Sequence, residues 1–200
     1  MPTHYIFGYG SLICQDSRSR TGVTSDACPV EVQGIQRRWS MHSPEWPATA
    51  VSAHDSPMHR CNGVYFAVDA ENLKNFDERE QGYQRIQLPW NQVSPLSEQS
   101  LPTGGTLWAY VGNDTGEPSA ARPIMQSYLD VILNGCLNFG VEFTQRFTET
   151  TELWQCLVDD RHDPQYPRPL NRTERLPDID RILATHLPDL LNQRQAYSEQ

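Results

Sequence analysis

The sequence predicts an α+β fold, on three observations. Residues 1–112 break into strand-like runs bounded by turn residues. After Asn113-Asp114-Thr115-Gly116 the apolar residues change to helical spacing. A chain of 200 residues suffices for one full hydrophobic core, or for a domain of about 150 residues with an appendage, and is short for a two-domain enzyme.

The strand readings cover Tyr5–Gly8, Val30–Met41, Ala48–Ala53, Gly63–Val68, Arg85–Val93 and Thr106–Val111, so about six strands are expected. Between the fourth and fifth lies one short helix. Asp69 is its N-cap, Leu73 and Phe76 mark its apolar face, and it stops by Gly82. Ile124, Tyr128, Val131, Ile132, Cys136 and Phe139 then form one helical stripe up to Gly140, and Phe143, Phe147, Thr150 and Trp154 form a second. Asp159–Arg175, dense in Pro, Asp and Arg, reads as an ordered loop. The last segment puts Ile179, Ile182, Leu183, Leu187, Leu190 and Leu191 on one face, with Pro188 kinking it or starting a new turn. That face either packs on the body or binds a partner.

Composition excludes some functions. A net charge of -9, from 25 acidic and 16 basic residues, is the wrong sign for a phosphate-backbone partner. No apolar run approaches the roughly 18 residues a membrane span needs, and the first residues lack the basic and apolar regions of a secretion signal. The expectation is a soluble, cytoplasmic protein with neither nucleic acid nor membrane as partner. Cys14, Cys28, Cys61, Cys136 and Cys156 are odd in number, scattered and without a C-x-x-C pair, as suits unpaired thiols in a reducing compartment.

The first strand ends in Gly8-Tyr9-Gly10-Ser11-Leu12-Ile13, a turn that three familiar glycine motifs fail to explain. A dinucleotide fingerprint would need Gly where Ile13 stands, and no helix is read behind it; a phosphate loop would need a lysine. A nucleophile elbow would need Gly two residues on either side of Ser11, where Tyr9 and Ile13 sit. Two readings remain. Gly10 lets the backbone approach a ligand while N–H groups around Ser11 and Leu12 face an anion or carbonyl oxygen, or the segment is a tight turn over a buried tyrosine.

Glu80 is the carboxylate best placed for chemistry. At about 100° per residue it falls about 20° from Leu73 and so shares the apolar face with Phe76, whereas Glu78 points away. Desolvation and the negative end of the helix dipole both raise its pKa, as a proton shuttle near neutrality requires. If the helix frays, Glu80 is instead a solvated surface charge. His54, Asp55, His59 and Cys61 lie close together, but their spacing matches no tetrahedral zinc pattern and they read as a loop. Asp159-Asp160-Arg161 and Tyr166-Pro167-Arg168 form either an ion-pair network locking the tail or an anion pocket.

Three motifs in order resemble the γ-glutamylcyclotransferase-like superfamily, which includes γ-glutamylamine cyclotransferases and the glutathione-degrading ChaC type. They are the Tyr9-Gly10-Ser11-Leu12 turn; the helix end carrying Asp77, Glu80, Gly82 and Tyr83; and Pro118-Ser119 followed by Tyr128, Val131, Ile132 and Gly135. The resemblance covers roughly residues 3–145. It implies a small mixed barrel-like sheet with flanking helices in a domain spanning 1–155, and leaves 156–200 as a C-terminal loop and amphipathic helix packed on that domain. It further implies Glu80 as the acid/base and Tyr9, Gly10, Ser11 and Leu12 around the γ-glutamyl group, with Tyr83, Tyr110 and Tyr128 as candidates to line the site. The implied reaction closes the γ-glutamyl group into 5-oxoproline and releases an amine, with no metal or other cofactor and a small γ-glutamyl compound as the sole required partner.

The ChaC type has Trp shortly after Gly-Ser-Leu and two glycines before the tyrosine, where this chain has Ile13-Cys14 and Gly82 alone. The substrate therefore stays open between glutathione, γ-glutamyl dipeptides and γ-glutamyl amines, and a homodimer stays open as well. A second function class keeps the fold as a non-catalytic binding module for a small carboxylated metabolite, and a third uses Cys14 as an amidase nucleophile. An acid/base at position 80 favours catalysis, since anion binding alone would sooner call for Arg or Lys there.

Overall fold

A computed structural model describes residues 3–113 and 115–198. Asp114 of the expected turn, and the first and last two residues of the expected domain ranges, lie outside the described residues. The elements in chain order are β1 (His4–Gly8), α1 (Gln15–Ser19), β2 (Cys28–Ser43), β3 (Trp46–Val68), α2 (Ala70–Arg79), β4 (Tyr83–Leu88), β5 (Val93–Pro95), β6 (Thr106–Gly112), β7 (Ile124–Met125), α3 (Gln126–Leu137), α4 (Val141–Glu149), β8 (Thr151–Glu152), β9 (Leu157–Asp159), α5 (Leu176–His186), α6 (Pro188–Asn192) and β10 (Gln195–Ala196). Short 3-10 turns occupy Ser11–Ile13 and Trp90–Gln92.

The main sheet is a mixed half-barrel of six strands in the order β4-β6-β1-β3-β2-β5, with β8 added to β2. β1 sits in its middle, antiparallel to β3 and parallel to β6. Its last three residues are buried, as expected of a strand with neighbours on both sides. The α+β class and barrel-like sheet agree with the sequence reading.

One strand differs. Ala48–Ala53 and Gly63–Val68 are parts of a single strand, β3, and the His54–Cys61 stretch between them is not a free loop. His54 pairs with Gln36 and Asp55 with Ile35; pairing resumes at Arg60 with Gln33, and only Ser56–His59 bulges out. Gln33 Nε2 holds that bulge through the carbonyls of Pro57 and His59 at 2.7 and 3.0 Å. A proline and several charges imitate a turn locally, but the partner strand decides.

α2 forms where the sequence places it. The Asp69 carboxylate accepts the Asn72 N–H at 2.7 Å, and Leu73 and Phe76 are buried, with Phe76 5.5 Å from the Phe66 ring. Glu80 is the C-cap, and Gly82, at φ +93°, takes the left-handed conformation that reverses the chain into β4. A helix also opens behind the first turn, against expectation: α1 follows the 3-10 turn directly. The second apolar stripe ends early, at Glu149. Leu153 and Cys156 adopt positive φ, and Trp154 comes back over the end of α4 to donate its indole N–H to Thr148 O. Pro188 starts a new helix, α6, where its missing N–H costs nothing.

The helices form a second layer. α3 is almost wholly buried, between the 3-10 turn after β1 and α4, and α5 covers α3 and α4 with Ile179, Ile182 and Leu183. All five cysteines are free, four of them buried. No described helix is long and apolar enough to cross a membrane.

Gly135, in the last turn of α3, allows the closest approach of this layer to the 3-10 turn: a Cβ there would lie 2.6 Å from Cys14 N. Gly135→Ala must push backbone apart, costing about 1–3 kcal/mol and outweighing the helix-propensity gain of up to about 1 kcal/mol. The expected result is a melting temperature lower by several degrees; a rise would show that α3 does not bear on the turn this closely.

Candidate functional site

Three arginines hold the turn that ends β1. Arg18, nearly buried, donates to the carbonyls of Leu12 and Ile13 at 2.9 and 2.7 Å. Arg37, wholly buried beneath the sheet, donates to Tyr9 O at 3.2 Å. Arg79 donates from Nη2 to Ser11 Oγ at 3.1 Å and also ties Ser17 and Thr21 to α2. A backbone fixed at these points keeps its own N–H groups aimed. Ser11 and Leu12 open the 3-10 turn ahead of its first internal bond, from Ile13 N to Gly10 O, so the turn itself supplies no acceptor for them.

Glu80 faces this turn from the end of α2. Its side chain is 17 % exposed, and Oε1 lies 3.0 Å from Arg79 Nε. Burial raises its pKa above the ordinary 4.5, and the charges of Arg79 and then Arg168 offset part of that rise. Arg79 therefore both orients the carboxylate and favours its ionised form.

Tyr9, Gly10, Ser11, Leu12, Glu80, Tyr83, Tyr110 and Tyr128 all line one cavity of about 30 Å³, together with Phe7 and Val51. The eight residues that the resemblance implied for the site thus line one cavity, whereas Cys14, the alternative nucleophile, is not part of its lining. Gly10 leaves room there: a Cβ would lie 3.6 Å from the Tyr128 hydroxyl and 3.8 Å from Val51 Cβ. The Tyr9 hydroxyl donates to Tyr110 O, and the Tyr83 hydroxyl to Val51 O at 3.1 Å. Burial is the main cause that raises the pKa of Tyr9, Tyr83 and Tyr128, so all three are neutral phenols. Tyr110 is a wall of the cavity rather than a donor into it, because its hydroxyl is bonded to Asp77 Oδ1 at 2.8 Å. Asp77, in the same motif as Glu80, also pairs with Arg85.

The cavity opens into a cleft of about 610 Å³, with Ser11, Glu80, Tyr83 and Tyr128 lining both. One wall is the β2–β3 hairpin from Met41 to Trp46, and the other is the tail segment Tyr166–Arg168. Arg122 fastens the hairpin tip through Ser43 O and Trp46 O, and the Trp46 indole N–H donates to Gln165 O at 3.0 Å, which ties the two walls together. Trp46, edge to face, and Tyr166, tilted, pack around Tyr128 with ring centroids 5.4 and 4.7 Å away.

The two sequence readings of the Asp159–Arg168 region separate here. Arg161 binds Asp130 and Asp180, and Asp160 accepts from Ser127 N and Oγ, so this half locks the tail. Tyr166 and Arg168 belong to the cleft. His54 and His59 are bonded to Ser40 and Ser56. Among the described residues no three His, Cys, Asp or Glu side chains gather as a metal site would require. Sequence reasoning did not single out Arg18, Arg37, Arg79 or Val51; only Arg79, beside Glu80 in the same run, offered a local signal.

A family model described as gamma-glutamyl cyclotransferase, AIG2-like, matches residues 6–129. A comparison with curated proteins gives no match. Among solved structures, one described as a gamma-glutamyl cyclotransferase has a TM-score of 0.59 at 17 % identity, covering 90 % of this chain and 98 % of the other. An uncharacterized protein from Homo sapiens scores 0.59 at 18 % identity, with 90 % and 99 % covered. A gamma-glutamyl cyclotransferase specific to glutathione from yeast scores 0.50 at 16 % identity, with 96 % and 95 % covered. At such identities the structures establish a shared fold.

Proposed function

The chain belongs to the gamma-glutamyl cyclotransferase, AIG2-like family, and from that premise we propose that it converts a small γ-glutamyl amine, peptide or amide into 5-oxoproline and the free amine. The observation that carries this reading is Glu80, a carboxylate of raised pKa that lines the same cavity as the Tyr9–Leu12 turn.

In this reading the N–H groups of Ser11 and Leu12 receive the substrate's α-carboxylate or the developing oxyanion, and the protonated tyrosines bound the γ-glutamyl chain. Ionised Glu80 takes a proton from the α-ammonium. The freed amine attacks its own γ-carbonyl carbon, forming the new C–N bond of a five-membered ring. Glu80 passes the proton to the departing nitrogen, the old amide bond breaks, and the second proton of the ring nitrogen follows, leaving a neutral lactam and a protonated amine. Both reacting groups belong to one molecule, so folding the substrate supplies most of what a bimolecular reaction would lose in entropy. Arg79 keeps Glu80 aimed and, by opposing the effect of burial, favours its ionised form. We place the reaction in the cytoplasm, in keeping with five unpaired cysteines.

The pH profile tests the role of Glu80. Because the carboxylate must begin ionised and its pKa stands above 4.5, kcat/KM should fall tenfold per pH unit on the acid side, with the break above 4.5. A rate that is flat down to pH 4.5 would contradict it.

A further inference from the structure

We propose that Arg168 binds a carboxylate on the leaving amine, making the enzyme selective for γ-glutamyl amino acids and peptides over γ-glutamyl amines that carry no acid. The inference rests on the cyclotransferase reading above and names the substrate class within it.

The inner cavity, at about 30 Å³, accepts only a group of one or two waters' size. In this proposal the α-carboxylate end of the substrate enters it, on the Ser11 and Leu12 N–H groups, and the remainder runs past Glu80 into the 610 Å³ cleft. Ring closure happens beside Glu80, so the part reaching furthest into the cleft is the leaving amine. Arg168 lines the cleft and not the cavity.

Of the two arginines lining that cleft, Arg79 is committed to Glu80, Ser17 and Thr21. Arg168 is half-buried and has no hydrogen-bond or ion-pair partner among the described residues. A guanidinium left without a partner in this way offers a fork that matches a carboxylate in a bidentate manner. The cleft also has carboxylates at Glu45 and Glu78, but both are exposed at its rim, where water and salt screen them. Arg168 and Glu80 line the same cleft, and the charge of Arg168 opposes the rise in the Glu80 pKa.

The segment that carries Arg168 is built into the fold. Asp160, wholly buried, accepts from Ser127 and from Gln165 N at 2.8 Å; Tyr166 N donates to Ser127 Oγ at 3.2 Å. On the other side Arg20 donates to Pro169 O at 2.9 Å. Pro167 and Pro169 flank Arg168 and restrict the backbone on both sides. Arg168 lies beyond the matched residues 6–129, so this contact belongs to the tail of this chain.

The test compares substrates that differ only in the acid: γ-glutamylalanine with γ-glutamylalaninamide, and glutathione with its C-terminal amide. Wild type should prefer the acid of each pair. Arg168→Gln should lower that preference at least about tenfold, mainly through KM, and Arg168→Glu should lower it further. Each acid and its amide react at the same Glu80, so any change in the Glu80 pKa cancels in the ratio. An equal loss on both members of a pair, no loss, or a wild type that prefers the amides overturns the proposal alone. No 5-oxoproline from any of the four compounds, or from a γ-glutamyl alkylamine, overturns the cyclotransferase reading and the proposal with it.

Discussion

Glu80→Gln is expected to lower kcat by about 10²- to 10⁴-fold, the range of a lost general acid/base, while KM changes little. The amide is nearly isosteric and can still accept from Arg79 Nε, now 3.0 Å from Glu80 Oε1, so substrate should bind as before. Stability should move the other way. The folded-state pKa of Glu80 is raised above 4.5, so the protonated form contributes stability that is fully present below 4.5 and is lost as pH rises through the folded pKa. Above its folded pKa the ionised side chain is thus a cost to the fold, and the variant escapes it. Melting at pH 7 should leave Glu80→Gln at or above wild type, with the difference shrinking toward pH 4. An active variant would remove Glu80 from the chemistry; an inactive variant that melts well below wild type would leave the carboxylate a structural part.

Arg37→Met is expected to destabilise the fold more than other single changes around the site. The Arg37 guanidinium is buried without a carboxylate and is satisfied instead by Tyr9 O, Phe147 O, Asn62 through O and Oδ1, and the hydroxyls of Thr150 and Thr151. It also stacks over the Phe147 ring, 3.7 Å from the centroid. Met fills similar space but leaves several of those carbonyls without donors. The two threonine hydroxyls keep other bonds, to Arg146 O and Phe147 O, so the loss is less than the sum of six. About 3–5 kcal/mol is reasonable for breaking such a buried charged network, which is a fall of roughly 6–20 °C in a chain of this size. Because Tyr9 O is among the orphaned groups, activity should fall in the fraction that still folds. A melting temperature within about 2 °C of wild type would mean that the network does not hold the turn.

The parts of this molecule that follow from near neighbours were legible in the sequence. The Asp69 cap, the Leu73 and Phe76 face and the Gly82 stop lie within a few residues of one another, and α2 forms from them as expected. The candidate site was legible in a similar way: all its named members but Tyr110 belong to short motifs, and all eight line one cavity. What was hidden depends on distant partners. Whether His54–Cys61 is loop or strand is decided by β2, across the sheet. Arg18 and Arg37 went unmarked in the sequence, because no local pattern reveals that distant carbonyls will surround a guanidinium. Arg168 stood open in the sequence between an ion-pair network and an anion pocket, and the distant Asp160–Ser127 lock, which folds the tail against the hairpin, is what sets it on the cleft.

The most direct measurement is 5-oxoproline release from a panel of glutathione, γ-glutamyl dipeptides and γ-glutamyl amines, run with wild type and Glu80→Gln side by side and with both melts recorded. Release by wild type in step with the free amine, and its loss in a folded variant, is the expected result. Equal release by both proteins would contradict the mechanism, and silence from a folded wild type across the panel would contradict the activity itself.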